Sequence, residues 1–130
     1  MTFKTLLAPI ALAAAMSGCA IIPQASTPVL PTGSDVALNE SVTVGPLIAT
    51  PLKVVEDSRC PMNARCIRAG DAIVTTRLSD GNTTSTVDLT LGETVEAFGY
   101  PVLLSSVTPT RMTNTTLAAR DYRFTYELAE

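Results

Sequence analysis

The stretch AIVTTRLSDGNTTSTVDLTL, from Ala72 to Leu91, decides the fold. Two runs, Ala72–Leu78 and Thr84–Leu91, flank Ser79-Asp80-Gly81-Asn82. Asp-Gly suits the positive φ of a tight hairpin turn, so the two runs are expected to pair as antiparallel strands. Side chains alternate between the faces of a strand, which puts Val74, Thr76 and Leu78 on one face. Val87, Leu89 and Leu91 share a face of the second strand in the same way.

The same pattern recurs outward from the hairpin. Tyr122, Phe124, Tyr126 and Leu128 alternate with Arg123, Thr125 and Glu127, a period-two strand with one buried face. Val102–Val107 is a further run, bounded by Pro101 and Pro109. Val36–Val44 and Leu47–Val55 precede the hairpin. Pro51 interrupts the latter, and a proline cannot donate to a ladder, so that run is an edge strand, a bulged strand or two short ones. Residues 110–119 are polar and read as a loop or a loop with a helical turn. Composition agrees: 19 Thr, 11 Val and 6 Ile favour pleated sheet over helix. The expectation is an all-β chain, a small single-domain β-sandwich or barrel with about six or seven strands and one disulfide. At 130 residues there is no room for a barrel enzyme or a two-domain one.

The N-terminus reads as a sorting signal. Lys4 precedes an apolar run from Leu6 to Met16. Eleven helical residues span about 16 Å, against about 30 Å of bilayer core, so the run is too short to cross. It ends Met16-Ser17-Gly18-Cys19, which resembles the bacterial lipobox, cut before the cysteine. The resemblance implies a signal peptide over residues 1–18 and a Cys19 carrying diacylglycerol and an N-linked acyl chain such as palmitate. Ala20, rather than Asp, follows the cysteine and implies sorting to the outer membrane, with the domain facing the periplasm. An ordinary secretory signal cut after Ala20 is the alternative. Residues 19–34 hold Pro23, Pro28, Pro31 and Gly33 without strand or helix period and read as a tether. The β domain is expected over residues 35–130.

Charge limits the partners. Charged residues are only 16% of the chain, and the net charge is −3. That leaves no footprint for nucleic acid, and the domain is not expected to bind anionic lipid headgroups by charge, so any membrane attachment is expected to be covalent or hydrophobic. The expected partners are the membrane, through the lipid anchor, and another envelope protein.

The segment Asp57-Ser58-Arg59-Cys60-Pro61-Met62-Asn63-Ala64-Arg65-Cys66-Ile67-Arg68-Ala69-Gly70 interrupts the β pattern and concentrates charge. With Cys19 committed to lipid, Cys60 and Cys66 remain, and in an oxidising periplasm they are expected to pair. Closing so short a loop removes about 2.4 kcal/mol of unfolded-state entropy. The segment resembles one found in small uncharacterised exported proteins and lipoproteins of proteobacteria, which carry D-S-R-C-P, then Cys, then an A-G pair. Asp57 to Pro61, Cys66 and Ala69-Gly70 carry the likeness, and it extends more weakly over residues 36–128. Relatives of that kind often hold Trp before the A-G pair, where this chain has Arg68. The likeness implies an envelope location and a β domain, and no activity.

Three roles compete for the segment. It is a stapled corner whose Asp57, Ser58 and Arg59 bond to local backbone. Or it is a recognition loop using Asp57, Arg59, Arg65 and Arg68 on a rigid support. Or, reduced, Cys60, Met62 and Cys66 form a soft ligand set for Cu(I). Catalysis is not expected. With no His there is no ordinary Ser-His or Cys-His nucleophile, and no phosphate-binding glycine motif is present. Carboxylate pairs such as Asp57 and Asp71 suit acid–base work, but a domain with 12 acidic residues offers such pairs at random. No cofactor and no resident metal are expected.

Overall fold

The computed structural model describes Gly18 and residues 28–130. Residues 1–17 and 19–27, on which the signal-peptide reading, the lipidated Cys19 and most of the tether reading fall, lie outside the described residues. The described chain is all-β, with seven strands in two antiparallel sheets. One sheet holds β1 (Val42–Val44), β2 (Leu47–Asp57), β3 (Ala72–Ser79) and β4 (Thr84–Thr90), in that order. The other holds β5 (Thr94–Ala97), β6 (Tyr100–Thr108) and β7 (Arg123–Leu128). Within each sheet every strand pairs with its neighbour in sequence, so both sheets are antiparallel meanders.

The hairpin from Ala72 to Leu91 forms as expected. Ser79 pairs with Thr84 and Ile73 with Thr90. Gly81 sits at φ 97°, a conformation open to glycine and costly for other residues. Asp80 closes the turn with its side chain, its Oδ1 accepting from the backbone N–H groups of Asn82 (2.9 Å) and Thr83 (2.7 Å). Those bonds hold its carboxyl below the ordinary value.

β2 is a bulged interior strand. Its pairing with β3 shifts between Pro51 and Lys53 and again between Val54 and Glu56. Pro51 lies beyond the reach of β1, whose pairing ends at Val42–Ala49, so its missing N–H breaks no bond on that side. β5 had no counterpart among the runs read from the sequence. Its turn to β6 is Phe98-Gly99, both at positive φ (53° and 80°), between the paired Ala97 and Tyr100. Two-residue hairpin turns of that shape ordinarily carry Asn-Gly or Asp-Gly, and a phenylalanine there hides the turn.

The two sheets share one core. Val42, Val44, Leu47, Ala49, Val74, Leu78 and Leu89 meet Val102, Leu104, Val107, Phe124 and Tyr126. Tyr126 and Thr76, one from each sheet, bond through their hydroxyls at 2.9 Å inside it. Burial pushes the Tyr126 phenol up, against the opposing pull of that bond. Val36 exchanges backbone hydrogen bonds with Phe124, linking the entry of the first sheet to β7. The tether reading needs correcting at one end. Leu30 donates to the Ser41 carbonyl (2.9 Å) and accepts from the Thr43 N–H (2.8 Å), so sheet contact begins within the 19–34 stretch. Backbone groups satisfied in that way no longer belong to a free linker.

Candidate functional site

The cysteine segment is the connection between β2 and β3, and it stays hairpin-like past the strand ends. Asp57 pairs with Ala72, the Ser58 N–H donates to the Asp71 carbonyl (2.7 Å), and the Cys60 N–H donates to the Ala69 carbonyl (2.9 Å). Ser58 Oγ accepts from the Asp71 N–H at 3.0 Å. Gly70 takes φ 70° where a side chain would be driven into the Ser58 carbonyl. Cys60 and Cys66 are bonded, with their Cα atoms 5.9 Å apart. The disulfide read from the sequence is therefore present, and it closes the end of the connection.

Asp57 and Arg59 form the node of the corner. Arg59 Nε and Nη2 donate to the two oxygens of Asp57 at 2.7 and 2.9 Å. Such a fork on a carboxylate is the strong form of the ion pair. The pair is well covered, with the two side chains 13% and 8% exposed. Arg59 spends its remaining donors across the sheet boundary, Nη1 to the Val107 carbonyl of β6 (2.7 Å) and Nη2 to the Pro109 carbonyl (3.1 Å). Tyr122, just before β7, donates its hydroxyl to Asp57 Oδ2 at 2.8 Å and stacks on Phe124 at 5.9 Å between ring centres. Arg111 Nη1 donates to the Arg59 carbonyl (2.7 Å), and the Met62 N–H donates to the Arg111 carbonyl (2.9 Å). Asn63 and Thr113 exchange two bonds at 2.9 and 3.0 Å. The connection from the first sheet is thereby bound to the β6–β7 connection of the second.

Electrostatics follow from this packing. Burial raises the Asp57 pKa, but the hydrogen bonds from Arg59 and Tyr122 and the Arg59 charge outweigh it, so the carboxyl lies below its ordinary 3.8. Burial and donation to Asp57 push the Tyr122 phenol up to about 12. A carboxylate held ionised and saturated with donors is unsuited to proton transfer near neutrality.

The four residues read as a recognition loop are not brought together. Asp57 and Arg59 face inward and are consumed by the node. Arg65 and Arg68 are exposed, and among the described residues neither makes an ion pair. The side chains of Asp57 and Arg59 also reach Val107, Pro109 and Tyr122, so the stapled corner is a tie between sheets as well. Sequence reasoning missed Tyr122 as a polar partner, because its alternation marked it only as core. It missed Arg111 too, although this is the one charged residue in the polar stretch 110–119.

Beside the arginines, Ile67 and Met62 are exposed large hydrophobics on the same loop, Ile67 wholly so, and Met112 next to Arg111 is another. Two clefts of about 330 Å³ flank the node. Leu38, Val54 and Leu117 line one, and Arg111, Thr113 and Thr116 the other. With Cys60 and Cys66 bonded, the set with Met62 offers no thiolate. Among the described residues no three His, Cys, Asp or Glu side chains are grouped to hold a metal, and no helix is long and apolar enough to cross a membrane. Comparison with protein families, characterised proteins and solved structures finds no match.

Proposed function

We propose that this chain is an outer-membrane lipoprotein, anchored through Cys19, whose β domain faces the periplasm and does non-catalytic binding or structural work in the envelope. The likeness of its D-S-R-C-P segment to small proteobacterial exported proteins supports that location. The observation that carries the binding role is the division of the cysteine segment. Its root is locked by Asp57, Arg59 and the disulfide, while Arg65, Ile67 and Arg68 are exposed and, among the described residues, the two arginines make no ion pair. A loop held rigid on a scaffold and left apolar and charged at its tip is suited to contact another envelope component. The non-catalytic reading rests on the absence of His and on the saturated Asp57 carboxylate. Cu(I) binding through Cys60, Met62 and Cys66 is the second reading, and it requires the disulfide to be reduced.

Palmitate labelling of cells expressing the wild type and Cys19→Ser tests the anchor. Label on the wild type and none on the variant, with unprocessed precursor accumulating, is the expected outcome. Normal maturation of Cys19→Ser would refute the lipoprotein reading. A thiol assay on purified protein separates the binding roles, since free thiols with stoichiometric Cu(I) uptake would favour the copper site.

A further inference from the structure

We infer that the tip of the cysteine loop is a membrane-contacting element that seats on the anionic phospholipid surface to which Cys19 is tethered. The inference rests on the lipoprotein reading and names the component that the loop meets. Ile67, wholly exposed, sits between Cys66 and Arg68, and Arg65 lies on the other side of Cys66. Met62, 72% exposed, is on the same loop. An apolar side chain flanked by cations suits the interfacial region, where the chain enters below the headgroups and the guanidinium groups meet phosphate. Neither arginine has an ion-pair partner in the described residues, so no internal pair need break first.

One further observation favours a lipid surface. The net charge of −3 makes the rest of the chain unattractive to an anionic leaflet, so a local basic tip would orient the domain.

The chain has no tryptophan, so Ile67→Trp supplies a single reporter at the tip. Asn82→Trp supplies another on the β3–β4 turn, at the opposite end of β3. Each full-length lipidated variant is placed in vesicles of phosphatidylethanolamine with phosphatidylglycerol, and in phosphatidylcholine alone, with brominated lipid as quencher. In the anionic vesicles the Ile67→Trp emission is expected to shift to the blue and be quenched. In phosphatidylcholine the quenching should be weaker, and Asn82→Trp should be unquenched in both. Each arginine near an anionic surface is worth roughly five-fold in partitioning, so adding Arg65→Glu and Arg68→Glu should lower the docked-to-undocked ratio by at least roughly 25-fold. The inference is overturned if Ile67→Trp is unquenched, if both reporters are quenched alike, or if the glutamates change nothing. It is equally overturned if the blue shift requires an added envelope protein fraction and not lipid. Mass spectrometry of the acyl groups comes first. Their absence refutes the lipoprotein reading alone. The same vesicles added to the soluble mature chain then decide the loop contact, with quenching of Ile67→Trp still expected.

Discussion

The cysteine segment carries three arginines, and they do two different jobs. At the root, Arg59 is nearly covered and places its donors on Asp57, Val107 and Pro109. At the tip, Arg65 and Arg68 are exposed and form no ion pair among the described residues. The root is a polar tie between the two sheets, and the tip stands outside that arrangement. A cation in a covered site must be matched by acceptors, since an unmatched one costs several kcal/mol. A cation in water is under no such constraint. The difference teaches that charge concentrated in one segment divides by burial, and that only the uncovered part is free for recognition.

Gly70→Ala should break the root most severely. The left-handed backbone and the collision with the Ser58 carbonyl act together, with a loss of about 4 kcal/mol in denaturant unfolding. Arg59→Ala should follow, at about 3 kcal/mol, because it leaves the covered Asp57 carboxylate and two carbonyls short of their donor. Arg59→Lys should recover little, since an ammonium cannot reproduce the fork on the carboxylate. If Arg59→Ala costs no more than a surface substitution, root and tip are energetically alike and the comparison fails.

The node also gives the root a pH signature. The pKa of folded Asp57 lies below its ordinary 3.8, so its contribution is complete above 3.8 and is lost as the pH falls through the lower folded value. Tyr122 runs the other way. Its raised pKa gives a contribution complete below 10 that is lost as the pH rises toward about 12. Asp57→Asn should flatten the acid limb of a stability profile, and Tyr122→Phe the alkaline limb. Unchanged limbs in both variants would mean that the node does not hold in solution.

How far the sequence shows this division depends on where each signal is stored. The β3–β4 hairpin and β7 were legible, because period-two alternation and Asp-Gly act over neighbouring residues. The pairing of Cys60 with Cys66 was legible by elimination of Cys19. β5 was not, because Phe98 occupies a position that asparagine usually fills. The node was only half legible. Asp57 and Arg59 stand out by composition, but their partners lie 48 to 65 residues away, and no local pattern encodes such a contact. Reading all four charged residues as one recognition surface followed from seeing their proximity in sequence and not their burial.

The staple sits between root and tip, and Cys60→Ser should cost roughly 2–3 kcal/mol from loop closure. The melting temperature should fall while the circular dichroism remains β-rich, because the core lies in the strands and not in the loop. An unchanged melting temperature would mean that the pair is reduced in the purified protein.

The smallest effect belongs to the tip and sharpens the comparison most. Arg65→Ala with Arg68→Ala should change stability by under about 0.5 kcal/mol, as expected of exposed side chains with no ion pair among the described residues. The same pair of changes leaves Asp57, Arg59, Arg111 and the disulfide in place, so both limbs of the pH profile should match the wild type. Any loss of envelope association in this variant then reports recognition and not unfolding. The root cannot provide that separation, because every substitution there disturbs the tie between the sheets. A stability loss comparable to that of Arg59→Ala would show that the tip arginines have internal partners in solution, and the loop would then be structural from end to end.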